Sequence, residues 1–192
     1  VAGFTVLVVC EGNLCRSPFA ERLLSHRLVV LGAAERFAVT SAGTRAPDAV
    51  AMDARSAAAL LERGASGAGF ASRRLAAATV EGADLVLAAS RNLRAQVLQE
   101  SPGALHRTFT VLELAALAPQ APPGTPADLV AWCALHRSTL NDTLRRGEDY
   151  DVADPVGADQ ATYDQVVAQL DGACGVIAGV LAATATTPHL RR

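Results

Sequence analysis

The chain has 192 residues, about one domain at the usual ~100–200 residues per domain, and 51% of them are hydrophobic, enough for one full core. Its 17 basic side chains, all arginine, against 19 acidic ones give a formal net charge of −2, which excludes a general nucleic-acid or membrane-surface binder and makes any anion site local. Four cysteines, two of them close together at Cys10 and Cys15, do not make a secreted disulfide framework; no window reads as the roughly 18 apolar residues of a membrane span, and Val1 to Val9 lack the flanks of a leader, so the expected compartment is the cytoplasm.

Phe4-Thr5-Val6-Leu7-Val8-Val9 is an apolar, β-branched run that predicts a buried strand. A helical pattern runs from Phe19 to Leu31, so Cys10-Glu11-Gly12-Asn13-Leu14-Cys15-Arg16-Ser17-Pro18 is a strand-to-helix loop. A second strand is expected at Phe37–Ser41, and a helix from Asp53 to Glu62 stopped by Gly64. The glycine-rich Gly64–Gly69 stretch reads as a surface turn, and Ser72 as the N-cap of a short helix. A third strand follows at Asp84–Ala88, a helix at Arg91–Gln99, a fourth strand at His106–Val111 and a short helix through Leu117. Proline-rich Pro119–Pro126 marks a loop, after which helix is expected from Ala127 to Arg145. An acidic turn from Gly147 to Asp151 delivers Asp154-Pro155, a last amphipathic helix spans Gln160–Ala182, and Thr184–Arg192 reads as a frayed tail. Alternating strand and helix predict an α/β fold: one domain over residues 1–192, its core at 3–183, built on an open four-stranded parallel sheet with helices on both faces.

The loop after the first strand carries the chemistry. A strand-to-helix turn aims backbone N–H groups and the positive end of a helix at one point, which is how proteins hold phosphate. Cys10 opens that cradle and Arg16 closes it, placing a thiolate beneath a phosphorus atom and a guanidinium fork on its oxygens. A Cys-x5-Arg spacing alone is weak, and a strand-end cysteine is more often a small core hydrophobe. Here Gly12 and Asn13 tolerate positive φ, Ser17 offers a hydroxyl to the sulfur, and Pro18 suits a first helical turn. Glu11, Gly12, Asn13, Leu14, Cys15 and Ser17 are therefore the expected phosphate-binding residues, with Asn13 holding the loop more than touching substrate. Cys10 and Cys15 lack zinc-knuckle spacing, and no metal or cofactor is expected.

This segment resembles the signature Cys-x-Gly-Asn-x-Cys-Arg-Ser-Pro of the low-molecular-weight protein tyrosine phosphatases. Ser41-Ala42-Gly43-Thr44, Ala83-Asp84-Leu85-Val86-Leu87 and, far downstream, Asp154-Pro155 resemble further family segments, so the likeness spans nearly the whole chain. The resemblance implies strand order 2-1-3-4, a cysteinyl-phosphate intermediate on Cys10, transition-state binding by Arg16, and Asp154 as general acid and then base. Asp149, Asp151 and Asp159 are rivals for that acid role. The substrate is then a phosphorylated protein or a small phosphomonoester.

Two departures stand out. The family commonly carries tyrosines after Asp-Pro as walls for an aromatic ester, where this chain has Val156 and Gly157. Glu11 puts a carboxylate at the pocket mouth, expected to weaken anionic peptides or recruit a basic residue of the partner. Cys15 either pairs with Cys10 on oxidation or simply packs; Cys133 and Cys174 read as inert core residues, and His26, His106, His136 and His189 have no catalytic context. The alternatives are a thiol-dependent arsenate reductase, which needs two more relay cysteines than Ser72–Arg107 supplies, and a non-catalytic phosphate-binding module.

Overall fold

The structure, a computed structural model, describes residues 3–141 and 149–185. Strands β1 (Phe4–Cys10), β2 (Phe37–Gly43), β3 (Leu85–Ala88) and β4 (Thr108–Thr110) form one parallel sheet in the expected order β2-β1-β3-β4. The helices are α1 (Arg16–Val30), α2 (Ala54–Leu61), α3 (Ala77–Glu81), α4 (Arg91–Glu100), α5 (Val111–Leu117), α6 (Pro126–His136) and α7 (Gln160–Ala183). Alternation along β1 divides the core. Val6, Val8 and Cys10 face the side covered by α1, α5 and α7, while Leu7 and Val9 face Val80 of α3 and Val97 of α4. Helices thus cover both faces, and every β1 residue from Val6 to Val9 is at most 2% exposed, as a central parallel strand requires.

Several boundaries differ from the sequence expectation, each for a local reason. α1 starts at Arg16 rather than Phe19, so the end of the signature loop is already helical. Ser72 caps no helix: its hydroxyl donates to the Pro47 carbonyl (2.6 Å) and accepts from Val50 N–H (3.0 Å), while α3 starts later, behind Ala76 with no side-chain cap. β4 is cut to Thr108–Thr110 because a 3-10 turn takes Pro102–Arg107, and because Thr110 and Glu113 form a reciprocal cap that opens α5 at Val111. α6 ends at His136 and a 3-10 turn covers Arg137–Thr139; residues 142–145 of the helix expected to Arg145, the Gly147-Glu148 part of the acidic turn, His189 and most of the tail lie outside the described residues.

The largest correction concerns α7. It is 24 residues long with a window of mean hydropathy 1.8, long and apolar enough by length and composition to cross a membrane, contrary to expectation. Its apolar residues instead build a core stripe. Tyr163, Val166, Val167, Leu170, Ala173, Cys174, Ile177, Ala178 and Leu181 recur at helical spacing and are buried, and the helix packs on α1 and α5. Arg27 of α1 donates to the carboxylate and carbonyl of Asp171, and Arg63 Nε reaches the same carboxylate at 2.9 Å, fastening α7 to α1 and to the end of α2.

Candidate active site

The order β2-β1-β3 makes the carboxyl end of β1 a switch point, with chain leaving to opposite sides, and Cys10 is the last residue of that strand. Register pairs Cys10 with Gly43, and Thr44 N–H and Arg45 N–H donate to the carbonyls of Cys10 and Glu11 (3.1 and 2.9 Å). This contact is possible only because residue 43 has no side chain. A Cβ there would lie 2.5 Å from the Glu11 carbonyl oxygen and 2.8 Å from Asn13 N.

Asn13 takes the left-handed conformation (φ 52°) and is wholly buried. Its amide nitrogen donates to Ser17 Oγ (2.9 Å) and Ser41 Oγ (2.8 Å), and its Oδ1 accepts from Arg73 N–H (2.9 Å). Ser41 passes its own proton to Glu21 Oε2 at 2.6 Å. Gly12 does not use positive φ, so only one of the two residues expected to need it does; a Cβ at Gly12 would meet nothing closer than Leu14 at 3.9 Å.

This network decides where the Ser17 proton goes. Because Oγ already accepts from Asn13, its single proton has two acceptors in range, the Cys10 sulfur at 2.9 Å and the Ala42 carbonyl at 3.5 Å. The shorter contact is to sulfur, which also receives Asn13 N–H at 3.2 Å. Two donors thus converge on Cys10 Sγ. The N–H groups of the first turn of α1, which have no intrahelical acceptor, open from the same loop.

Arg16, 6% exposed, extends from that turn to the segment before α7, donating to the Val152 carbonyl (3.1 Å) and to Asp154 Oδ2 (2.6 Å). The other Asp154 oxygen accepts from Val156 N–H (3.2 Å), and Val152 N–H is tied to the Ala89 carbonyl just beyond β3 (2.8 Å). Residues 16 and 154, far apart in sequence, therefore meet at the end of the signature loop that Cys10 opens.

The rival carboxylates have other partners. Asp151 accepts from the backbone and guanidinium of Arg91; burial works against its charge, but those hydrogen bonds prevail and hold its carboxyl below the ordinary value. Asp149 receives Arg91 Nη2 at 2.7 Å. Asp159 caps α7, and its hydrogen bond from Thr162 lowers its carboxyl too. Of the four, Asp154 is the one bonded to the signature loop.

Cys15, 8% exposed, sits at the start of α1, where burial first and then the carboxylate of Asp53 push its thiol up to about 11. Cys15 is free and packed in the structure. Cys133 and Cys174 are core residues, with burial raising their thiols to about 11 and about 12. Both are free and buried, with no exposed thiol to offer a relay. The Glu11 expectation also changes: its carboxylate is taken by Arg45 of the same chain at 3.0 Å, so that loop position carries an ion pair and not a lone negative charge. Nor do Phe19, Tyr163 and Trp132 stand in for the missing tyrosines. Phe19 is 1% exposed, Tyr163 is buried with its hydroxyl on Ser56 and Asp53, and Trp132 stacks on His136 in α6.

Sequence reasoning missed Gly43 as a packing requirement, and it missed Arg55. That arginine is one of 17 with nothing local to single it out, yet its guanidinium reaches the carbonyls of Pro155 and Ala158.

A family model described as low molecular weight phosphotyrosine protein phosphatase matches residues 5–118. The chain belongs to this family. The low molecular weight protein-tyrosine-phosphatase Etp of Escherichia coli (strain K12) is 38% identical over 105 residues, 55% of this chain and 67% of its own length. Ptp of Acinetobacter johnsonii is 32% identical over 104 residues, 54% of this chain and 69% of its own. Among solved structures, the low molecular weight protein tyrosine phosphatase from T. tengcongensis aligns with a TM-score of 0.69 at 25% identity, covering 91% of this chain and 97% of that one. The YwlE arginine phosphatase from Geobacillus stearothermophilus aligns at 0.68 and 24% identity over 92% of this chain and 91% of its own, a likeness of fold. The family match ends before Asp154, so this phosphatase presents its signature loop from the matched part and its carboxylate from beyond it.

Proposed function

We propose that the protein hydrolyses phosphate monoesters, phosphotyrosine in proteins among them, through a phosphate carried on Cys10. The observation that carries this reading is convergence: two donors on the Cys10 sulfur, and Arg16 of the same loop bonded to Asp154 at 2.6 Å.

In this reading the ester dianion lies in the loop from Cys10 to Ser17, held by backbone N–H groups and by guanidinium N–H donors of Arg16. The Cys10 thiolate attacks phosphorus, forming S–P as the P–O bond to the alcohol breaks. Ser17 and Asn13 N–H steady the sulfur while it carries charge and when it departs. Asp154 gives its proton to the leaving oxygen, a contribution typically worth about 10² to 10⁴ in rate. The dianion competes with Asp154 for Arg16, so its arrival frees the Asp154 carboxyl to face the leaving oxygen. Water then attacks phosphorus, Asp154 takes its proton, inorganic phosphate leaves and the thiolate is restored. A thiol nucleophile works only where it stays reduced, which suits a cytoplasmic setting.

The test is a p-nitrophenyl phosphate assay with acid quench and mass analysis. Wild type is expected to turn over and to show a phosphate's added mass on the Cys10 peptide, and Cys10→Ser to lose turnover while keeping its melting temperature within a few degrees. Steady turnover by Cys10→Ser near the wild-type rate removes the covalent mechanism.

A further inference from the structure

Asp154 directly precedes a tight turn, Pro155-Val156-Gly157-Ala158, closed by Ala158 N–H on the Pro155 carbonyl (3.1 Å) with Gly157 at φ 74°, and its carboxylate is tied to that turn by Val156 N–H. The guanidinium of Arg55 bridges the first and last residues of that turn, Nη2 to the Pro155 carbonyl at 3.5 Å and Nη1 to the Ala158 carbonyl at 3.4 Å. Such long contacts fix nothing unless the donor is itself held, and Arg55 is held twice. Its guanidinium lies over the Tyr163 ring, 4.2 Å from the centroid, and its Nε is 3.8 Å from Asp53 Oδ1.

Those two supports lock each other and lead back to the nucleophile. Asp53 Oδ1 caps α2 through Arg55 N–H and Ser56 N–H and accepts the Tyr163 hydroxyl (3.1 Å); Ser56 Oγ meets the same hydroxyl at 2.5 Å. Asp53 N–H donates to the carbonyl of Leu14, inside the signature loop, at 2.8 Å. Asp53 and Arg55, two positions apart at the start of α2, thus reach the phosphate-holding loop at one end and the turn after Asp154 at the other.

We propose that Arg55 is the positioning residue of this turn: it sets the distance between the Asp154 carboxyl and the Cys10 loop, with Asp53 and Tyr163 as its supports. Arg55 touches neither substrate nor sulfur in this scheme and acts only through Asp154. The inference rests on Asp154 being the acid, and proton donation matters most when the departing oxygen is basic.

The experiment compares phenyl phosphate, whose leaving group needs a proton, with p-nitrophenyl phosphate, whose leaving group does not. Arg55→Met is expected to lower kcat/KM, which ends at the S–P step and so leaves out the water step common to both substrates, about tenfold more on phenyl phosphate than on p-nitrophenyl phosphate, with competitive inhibition by inorganic phosphate changed less than about twofold. Added to Asp154→Asn, it should cost less than about twofold further on phenyl phosphate, because both changes remove one proton transfer. Arg55→Lys keeps the charge, loses the fork, and covers the case in which Arg55→Met does not fold; it should show the same selective loss, smaller in size. Equal losses on the two substrates, additive losses on the Asp154→Asn background, or wild-type rates in Arg55→Lys overturn the proposal. If Asp154→Asn itself lowers kcat/KM equally on both substrates, the acid assignment falls and this inference falls with it.

Discussion

At the scale of single residues, what distinguishes this site is how completely its polar atoms are used. Asn13 spends its side-chain amide on Ser17, Ser41 and the backbone of Arg73, which leaves Ser17 one proton and the Cys10 sulfur as its nearest taker. None of this survives if the loop is displaced from β2, and Gly43 is where displacement is easiest to impose. A methyl group there must clear backbone atoms at 2.5 and 2.8 Å, which flexible side chains cannot relieve. Gly43→Ala is therefore expected to lose at least about tenfold in kcat on aryl phosphates and to weaken phosphate inhibition, since it moves the cradle itself. Unchanged kinetics with both ligands would mean that the loop tolerates the shift and that the Gly43 contact is incidental.

At the scale of elements, the site is two loops of unequal legibility. The signature loop could be read from sequence because its demands are local: a thiol, a residue tolerant of positive φ, a hydroxyl and an arginine within one turn. The carboxylate loop could not be read so far. Asp154 was one of several aspartates, and what separates it is the company the others keep, Arg91 for Asp149 and Asp151 and the α7 cap for Asp159. Glu11 was misjudged for the same reason, since its partner Arg45 is brought beside it only by the β1–β2 pairing. The carboxylate loop also bears on substrate choice. Val156 is 70% exposed at the crest of the turn, directly after Asp154-Pro155, and no aromatic among Phe19, Tyr163 and Trp132 is free to serve as a wall. Stacking on such a wall is worth about 0.5 to 1.5 kcal/mol, roughly twofold to tenfold in affinity. Val156→Tyr is expected to lower KM for phosphotyrosine peptides by that factor while phosphate inhibition stays put. A KM for those peptides already far below that of alkyl phosphates, and unmoved by the substitution, would locate the wall elsewhere.

At the scale of the whole molecule, strand order and the two-faced sheet followed from alternation and from family likeness, whereas the sequence reading saw an amphipathic last helix and overlooked that α7 is long and apolar enough to pass as a span by composition, its buried stripe showing only in the packing. Burial of that kind has a consequence for stability. The chain contains no lysine, so its four cysteines and two tyrosines are the side chains that titrate in the mildly alkaline range. Burial pushes the thiols of Cys15 and Cys133 from 9.0 up to about 11 and that of Cys174 to about 12, and it raises the Tyr163 hydroxyl as well. Below pH about 8 both folded and unfolded chains keep nearly all of these protons, and the neutral buried thiols add almost no pH dependence. Above it the unfolded chain releases thiol protons that the folded chain retains, so the folded state binds more protons and its stability falls as pH rises, until the folded thiols also ionise near 11 to 12. Each such thiol steepens the fall by at most about 1.4 kcal/mol per pH unit. Urea unfolding is expected to show a midpoint that is level from pH 7 to about 8.5 and drops steeply between about 9 and 11, with Cys133→Ala lowering the whole curve but flattening that drop. A midpoint level through pH 11, or an equally steep drop without the Cys133 thiol, would show that the buried thiols do not govern the alkaline limit.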